Sequence, residues 1–342
     1  MATRRLWRKV LYGLGIIGAV LVVAVIGLAA YVARTWDRVW DDVPIPEVHA
    51  STDPDVIKRG EYFVYGPSHC VECHAGSWEA FQKVIDGEKV PLRGGLAFPA
   101  APLGTLYSRN ITSDPETGIG RYSDGQIARM MRYSVRPDGR AAIQLIMPFH
   151  NMSDEDLVAI ISYLRTLPPV KHQVPENEYT AVGKVIKSLV PLFKPRTAAQ
   201  VNPPKTSPPQ APTPERGEYL ARYVGNCTGC HTKHDQLTFN AVGPEFSGGE
   251  EMEPAMLPGY DPKTWYRTPN LTPGPGSALL KFPDRATWIA RFKVGGRHHA
   301  GSPMPWEAFA QISEADAGAL YEFFKTLPPT EGPTGEPGFR KE

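Results

Sequence analysis

Cys70-Val71-Glu72-Cys73-His74 and Cys227-Thr228-Gly229-Cys230-His231 are two copies of one pentapeptide, and between them they use every cysteine in the chain. No thiol remains for a disulfide, a separate metal site or a nucleophile. Two thiols separated by two residues can each add to one vinyl group of a haem, while the adjacent histidine reaches the iron. A Cys-x-x-Cys pair alone also suits a redox dithiol or half a zinc site. The histidine that follows narrows the reading, and a four-cysteine zinc site would need its halves far outside the usual intervals. The chain is therefore expected to carry two covalently attached haem c groups. Cys70, Cys73, Cys227 and Cys230 would attach them, and His74 and His231 would ligate the irons.

A second axial ligand is expected from a loop well after each histidine, and in a class I cytochrome c it is commonly a methionine, whose soft thioether favours reduced iron. Met147 follows His74 by 73 residues, and Met304 follows His231 by 73. Both lie in a Met-Pro-aromatic context, Met147-Pro148-Phe149 and Met304-Pro305-Trp306. Proline stiffens each loop and removes a backbone donor. The matched spacing selects Met147 and Met304. Met152, His150 and the His298-His299 pair remain as rival ligands. Met130, Met131, Met252 and Met256 read as packing residues. His49, His69, His172 and His234 read as structural or solvated.

The duplication extends well beyond the pentapeptides, which argues for a repeated domain. Arg59-Gly60-Glu61-Tyr62 recurs as Arg216-Gly217-Glu218-Tyr219, and Arg109-Asn110-Ile111-Thr112 pairs with Pro269-Asn270-Leu271-Thr272. Ser153-Asp154-Glu155-Asp156 followed by Leu167-Pro168-Pro169 matches Ser313-Glu314-Ala315-Asp316 followed by Leu327-Pro328-Pro329. In each, a serine with a carboxylate three residues on signals a helix start, and the double proline ends that helix. Leu157, Ile160, Ile161 and Leu164 recur at the spacing of one buried helical face. Asp55 to Ser68 predicts an amphipathic helix in which Gly60 permits a close approach. Each unit is expected to be a small helical domain, with only short extended pieces between Pro91 and Gly120.

Val10 to Ala33 is an uncharged stretch of 24 residues. At about 1.5 Å per residue it can cross a hydrocarbon core of roughly 30 Å, and it is too long for a cleaved signal peptide. Arg4, Arg5, Arg8 and Lys9 precede it, which by the positive-inside rule retains the amino end in the cytoplasm and exports the rest. Formal net charge is +1, and nothing resembles a nucleic-acid footprint. Between the units, Pro195 to Pro214 holds seven prolines in twenty positions. That composition predicts an extended, semi-rigid spacer keeping the units distinct. The apolar, lysine-dotted stretch Val182 to Phe193 ahead of it reads as a packing strap, with the membrane surface as the alternative.

Both units resemble the class I domains of membrane-associated multihaem cytochromes c, and the likeness is to the cytochrome c subunits of bacterial alcohol and gluconate dehydrogenases. It is carried by Asn110-Ile111-Thr112-Ser113-Asp114-Pro115-Glu116-Thr117-Gly118-Ile119-Gly120, by Val135-Arg136-Pro137-Asp138-Gly139-Arg140, and by the Met147 and Met304 loops. The second unit departs from it, with Gly274-Pro275-Gly276 where the first has an acidic run. Those subunits usually have three haems and a carboxy-terminal attachment, whereas this sequence has two motifs and an amino-terminal helix. The resemblance implies a mainly α architecture, an N-terminal transmembrane helix followed by two tandem class I cytochrome c domains. The expected boundaries are 1–50 for the cytoplasmic end, anchor and tether, 51–170 for the first domain and 171–214 for the linker. The second domain takes 215–330 and the tail 331–342. It also implies His/Met ligation, His74 with Met147 and His231 with Met304. Asn110 and Asn270 are expected either near a haem edge or simply in turns.

The expected function is electron transport in a respiratory chain. A membrane dehydrogenase or quinol-oxidising complex would be the donor, and a terminal oxidase or soluble cytochrome c the acceptor. The chain would be anchored in a bacterial inner membrane with its haem domains in the periplasm. No bond-making residue is required of an electron-transfer subunit. The alternative is a dihaem cytochrome c peroxidase, which would need an open coordination position at one iron.

Overall fold

Capping side chains start the helices where the sequence places them. The structure is a computed structural model that describes all residues except 1, 236–237, 255–260, 262, 298, 300, 334–335 and 342. Met256 and His298 therefore lie outside the described residues. The first helix, α1 (Ala2–Thr35), is long and apolar enough to cross a membrane, and none of its most apolar window is buried. The first unit follows with α2 (Pro54–Tyr65), α3 (Cys70–His74), α4 (Trp78–Ile85), α5 (Asp124–Tyr133) and α6 (Asp154–Thr166). Next comes α7 (Ala181–Leu189), and then the second unit with α8 (Pro214–Tyr219), α9 (Cys227–His231), α10 (Arg285–Val294), α11 (Trp306–Phe309) and α12 (Glu314–Thr326).

The long helices pair identically in both units. Asp53 accepts from the Asp55 amide to open α2, and Thr213 accepts from the Arg216 amide to open α8, each with proline in the first turn. Ser153 and Ser313 cap α6 and α12 through the amides of Asp156 and Asp316. Both helices stop at a leucine before the double proline, as read from the sequence. Helix α2 ends at Tyr65, three residues short of the expected Ser68, because the residue before Pro67 is pushed out of helical geometry. Leu157, Ile160, Ile161 and Leu164 are all buried. A Cβ on Gly60 would lie 1.9 Å from the Ala159 carbonyl, and one on Gly217 would lie 2.0 Å from that of Ala319. Both α2–α6 and α8–α12 thus cross with backbone against backbone.

Each unit also carries a small antiparallel sheet. The strands β1 (Ala97–Ala100), β2 (Gly104–Tyr107) and β3 (Glu178–Tyr179) form the first, and β4 (Glu251–Met252), β5 (Thr264–Arg267) and β6 (Gly338–Arg340) form the second. The first two strands fall inside the stretch from Pro91 to Gly120 where extended pieces were expected. In both sheets the third strand comes from chain that follows the unit.

The linker does not hold the units apart. One continuous apolar core runs from Phe63, Val71 and Leu157 of the first unit to Phe246, Phe309 and Phe324 of the second. Proline fixes φ and lacks a donor, but its carbonyl still accepts. The linker carbonyls of Pro204 and Lys205 accept from the Asp154 and Glu155 amides, which are orphan donors at the start of α6. Arg216 likewise donates to Pro208 O. The spacer is a fitted strap, and the apolar stretch before it forms α7 over a satellite core of Leu106, Ile143 and Phe193.

Candidate functional site

Each pentapeptide forms a single helical turn, entered through a residue in left-handed conformation, His69 (φ 40°) before α3 and Asn226 (φ 52°) before α9. The turn puts both cysteines and the histidine of each motif on one short element. Beyond each histidine, a diglycine brings a second stretch of chain across it. Gly94 N donates to His74 O at 2.8 Å and Gly248 N to His231 O at 2.7 Å. Both glycines have positive φ, 64° and 73°, and a Cβ would strike the backbone at Arg109 or at Thr268 and Pro269.

That crossing positions the acceptor for the imidazole. His74 Nδ1 lies 2.7 Å from Arg109 O, and His231 Nδ1 lies 2.9 Å from Pro269 O. A carbonyl only accepts, so Nδ1 carries the proton and Nε2 presents its lone pair, the tautomer and orientation an iron ligand requires. Burial pushes both histidines below the usual imidazole range, which keeps them neutral. The acceptor loop is itself clamped. Asn110 Nδ2 donates to Val170 O at 2.8 Å while Thr112 N donates to Asn110 Oδ1, and Asn270 Nδ2 donates to Thr330 O at 2.9 Å while Thr272 N donates to Asn270 Oδ1. Both asparagines bridge backbone groups of the loop, and Asn110 also meets the hydroxyls of Thr112 and Thr117.

The thiols lack any activating surroundings. Burial pushes Cys70, Cys73 and Cys227 up to about 12 and Cys230 up to about 11, with nearby thiols and the carboxylates of Glu72 and Glu250 adding to the effect. Redox dithiols and zinc sites depend on thiolates, whereas a thioether is neutral and belongs in an apolar setting. The residues present fit a covalently held haem c: two protonated thiols and an oriented neutral imidazole on one turn, against an apolar core. Met147 and Met304 are half-buried and pack against that same core.

No family model matches the chain. It is 33% identical over 292 residues to the alcohol dehydrogenase (quinone) cytochrome c subunit of Gluconobacter oxydans, covering 81% of this chain and 55% of that protein. It is 27% identical over 294 residues to the fructose dehydrogenase cytochrome subunit of Gluconobacter japonicus, covering 83% and 55%. It is 24% identical over 318 residues to a dihaem cytochrome c-type protein of Cereibacter sphaeroides, covering 89% and 98%. Its homologues are cytochrome c subunits of bacterial dehydrogenases and a dihaem cytochrome c. The chain spans about half the length of the two dehydrogenase subunits, at 55% of each.

The rival ligands occupy different settings. Met152 is completely buried in the core, and its carbonyl accepts from Arg132. His150 has an Nδ1 without a hydrogen-bond partner among the described residues. His299 lies against Tyr266 with ring centroids 5.9 Å apart. His69, read from sequence as structural or solvated, packs edge-on to Phe309 of the other unit at 5.7 Å.

Sequence reasoning missed the residue that ties the two sites together. Arg297 donates to the carbonyls of Ser302 and Met304, and its Nε and Nη2 reach Glu307 at 2.8 and 2.7 Å. Its Nη2 also lies 3.9 Å from Glu72, inside the first pentapeptide. The arginine that braces the second methionine loop thus also lies against Glu72 on the first cysteine helix, whose carboxyl burial pushes up to about 8. An arginine between a diglycine and a histidine pair has no sequence signal for this.

Proposed function

We propose that this chain is a membrane-anchored dihaem cytochrome c that relays electrons as part of a bacterial dehydrogenase system. The observation that carries this reading is the twinned turn on which two buried thiols accompany an imidazole whose Nδ1 is tied to the carbonyl of Arg109 or Pro269. When bound, haem c supplies a one-electron couple whose potential follows from its axial ligands, burial and hydrogen bonding. In the first domain, 51–170, Cys70 and Cys73 attach it, with His74 and Met147 as the axial pair. In the second, 215–330, Cys227 and Cys230 attach it, with His231 and Met304. The half-burial of both methionines against the common core supports that choice over the fully buried Met152. The chain's own task is to fix the imidazoles, exclude water and hold both sites in one rigid body.

Helix α1 serves as the anchor, and the basic residues ahead of it support a periplasmic position for the haem units by the positive-inside rule. The donor is a membrane dehydrogenase, which the names of the relatives support, or a quinol-oxidising complex. The acceptor is a terminal oxidase or a soluble cytochrome c. The relatives carry no peroxidase name, and the peroxidase alternative is set aside. Mixing the fully reduced protein with carbon monoxide tests this directly. A carrier with both axial positions filled stays unchanged, while rapid formation of a carbonyl complex would reveal an open site. Extraction in mild detergent identifies the donor, since a flavin or quinoprotein subunit is expected to co-purify.

A further inference from the structure

The end of α1 is fastened to the first unit. Trp40 N donates to Gly139 O at 2.8 Å, Val39 pairs with Arg140 in an antiparallel bridge, and Arg140 Nε holds Asp37 at 2.8 Å. Helix α7 lies alongside this junction. Between them is a cavity of about 80 Å³ lined by Tyr31, Trp36, Arg38, Trp40, Lys187 and Lys194, together with small and apolar neighbours. Three lining residues are cations, and among the described residues no carboxylate lines it.

The charge is poorly compensated. The Lys187 side chain is only 7% exposed and lies 4.7 Å from the Tyr179 ring, and its one ion partner among the described residues, Asp37, is 3.8 Å away and already engaged by Arg140. Burial pushes the Lys187 ammonium below its usual range, with Asp37 opposing that shift. Arg38 meets Asp42 at only 4.0 Å across exposed surface. Lys194 has no ion pair among the described residues, and Lys184 adds a further cation 4.5 Å from the Trp36 ring. An anion with several acceptor oxygens would satisfy this set.

The location identifies which anion. The uncharged run ends at Ala33, so Tyr31, Trp36 and Trp40 stand where a spanning helix leaves the hydrocarbon, the depth at which amphipathic aromatic rings sit. Beside the cavity, Val182 and Leu189 on α7 are 54% and 49% exposed, and Leu145 and Ile146 before the methionine loop are 43% and 52% exposed. Apolar side chains next to lysines are suited to the headgroup boundary of a bilayer. We propose that this cleft binds the phosphate headgroup of an anionic phospholipid, and that the lipid seats the first unit against the membrane. The inference rests on α1 being the membrane anchor.

The test uses the purified full-length holoprotein in neutral detergent, titrated with dioctanoyl-phosphatidylglycerol, dioctanoyl-phosphatidylcholine or inorganic phosphate. Thermal stability and native mass spectra are the readouts. Phosphatidylglycerol is expected to raise the melting temperature and to leave a one-to-one adduct, and the other two are expected to do neither. The double variant Arg38→Gln/Lys194→Gln should weaken phosphatidylglycerol binding by on the order of tenfold, and Lys58→Gln on α2 should leave it unchanged. Equal effects of phosphatidylcholine, equal effects of phosphate alone, or unchanged binding in the double variant would overturn the proposal. Alkaline carbonate extraction of membranes reads the anchor separately: release of the chain would refute the anchor, whatever the lipid titration shows.

Discussion

Tyr62 of the first unit donates its phenol proton to Asp316 of the second at 2.6 Å, and Tyr219 of the second donates to Asp156 of the first at 2.5 Å. Each tyrosine also receives an amide, from Ser313 and Ser153 respectively. The repeated Arg-Gly-Glu-Tyr is thus an interface device, exchanged reciprocally between the duplicated halves. Burial and the neighbouring carboxylate push both phenols far above their usual range, so each remains a donor. Tyr62→Phe removes a hydrogen bond to a charged group and should cost about 1.5–3 kcal/mol, read as a lower melting temperature. The Tyr219→Phe variant should behave alike, and a loss confined to one of them would break the reciprocity.

Arg216 is 2% exposed and its Nε and Nη2 hold the wholly buried Asp316 at 2.8 and 2.9 Å. Arg216→Ala leaves that carboxylate with a phenol but no cation. The expected loss is about 3–5 kcal/mol, measured by chemical denaturation. Arg59, which is 39% exposed in its side chain, reaches the buried Asp156 through Nε alone at 2.6 Å, while its Nη2 turns to Glu155 and Ser207. Arg59→Ala should cost distinctly less, because water reaches the arginine side of this pair and the Tyr219 phenol still donates to Asp156.

Gly60→Ala forces a methyl group against the Ala159 carbonyl, and the two long helices of the first unit must separate. A destabilisation of about 1–3 kcal/mol is expected. Gly13 in α1 has nothing within 4 Å of a Cβ. Gly13→Ala provides the control and should leave the melting temperature of the two units unaltered.

Burial, reinforced by Arg196 and Arg132, pushes His150 down to about 4. The unfolded chain therefore takes up a proton near pH 6.5 that the folded chain accepts only near pH 4. Stability contributed by neutral His150 is complete above about pH 6.5 and declines as pH falls through that window. His150→Gln should flatten this part of a melting-temperature profile between pH 7 and pH 4. An altered haem spectrum in the same variant would instead mark His150 as an axial ligand.

The helices were legible because their signals are local. Ser153 with Asp156, the Leu157–Leu164 face and Pro168-Pro169 specify α6 within some seventeen residues. The single turn that carries the thiols and imidazole of each pentapeptide is local in the same way, spanning five residues. The union of the two halves was not. Tyr62 and Asp316 are 254 residues apart, and both sit in motifs whose spacing signals only a repeat. The carbonyls of Arg109 and Pro269 leave no trace in sequence, because every residue carries one. Strands of two residues such as β3 and β4 are too short to show a period, and a proline-rich segment reads as a spacer until its carbonyls find donors.

The central claim is that both twinned turns hold covalent haem c. Intact mass spectrometry of the purified, denatured holoprotein tests it most directly. The polypeptide is expected to be heavier by two haems, and by one haem after Cys70→Ala/Cys73→Ala or after Cys227→Ala/Cys230→Ala. A wild-type mass corresponding to a single haem, or to none, would contradict it.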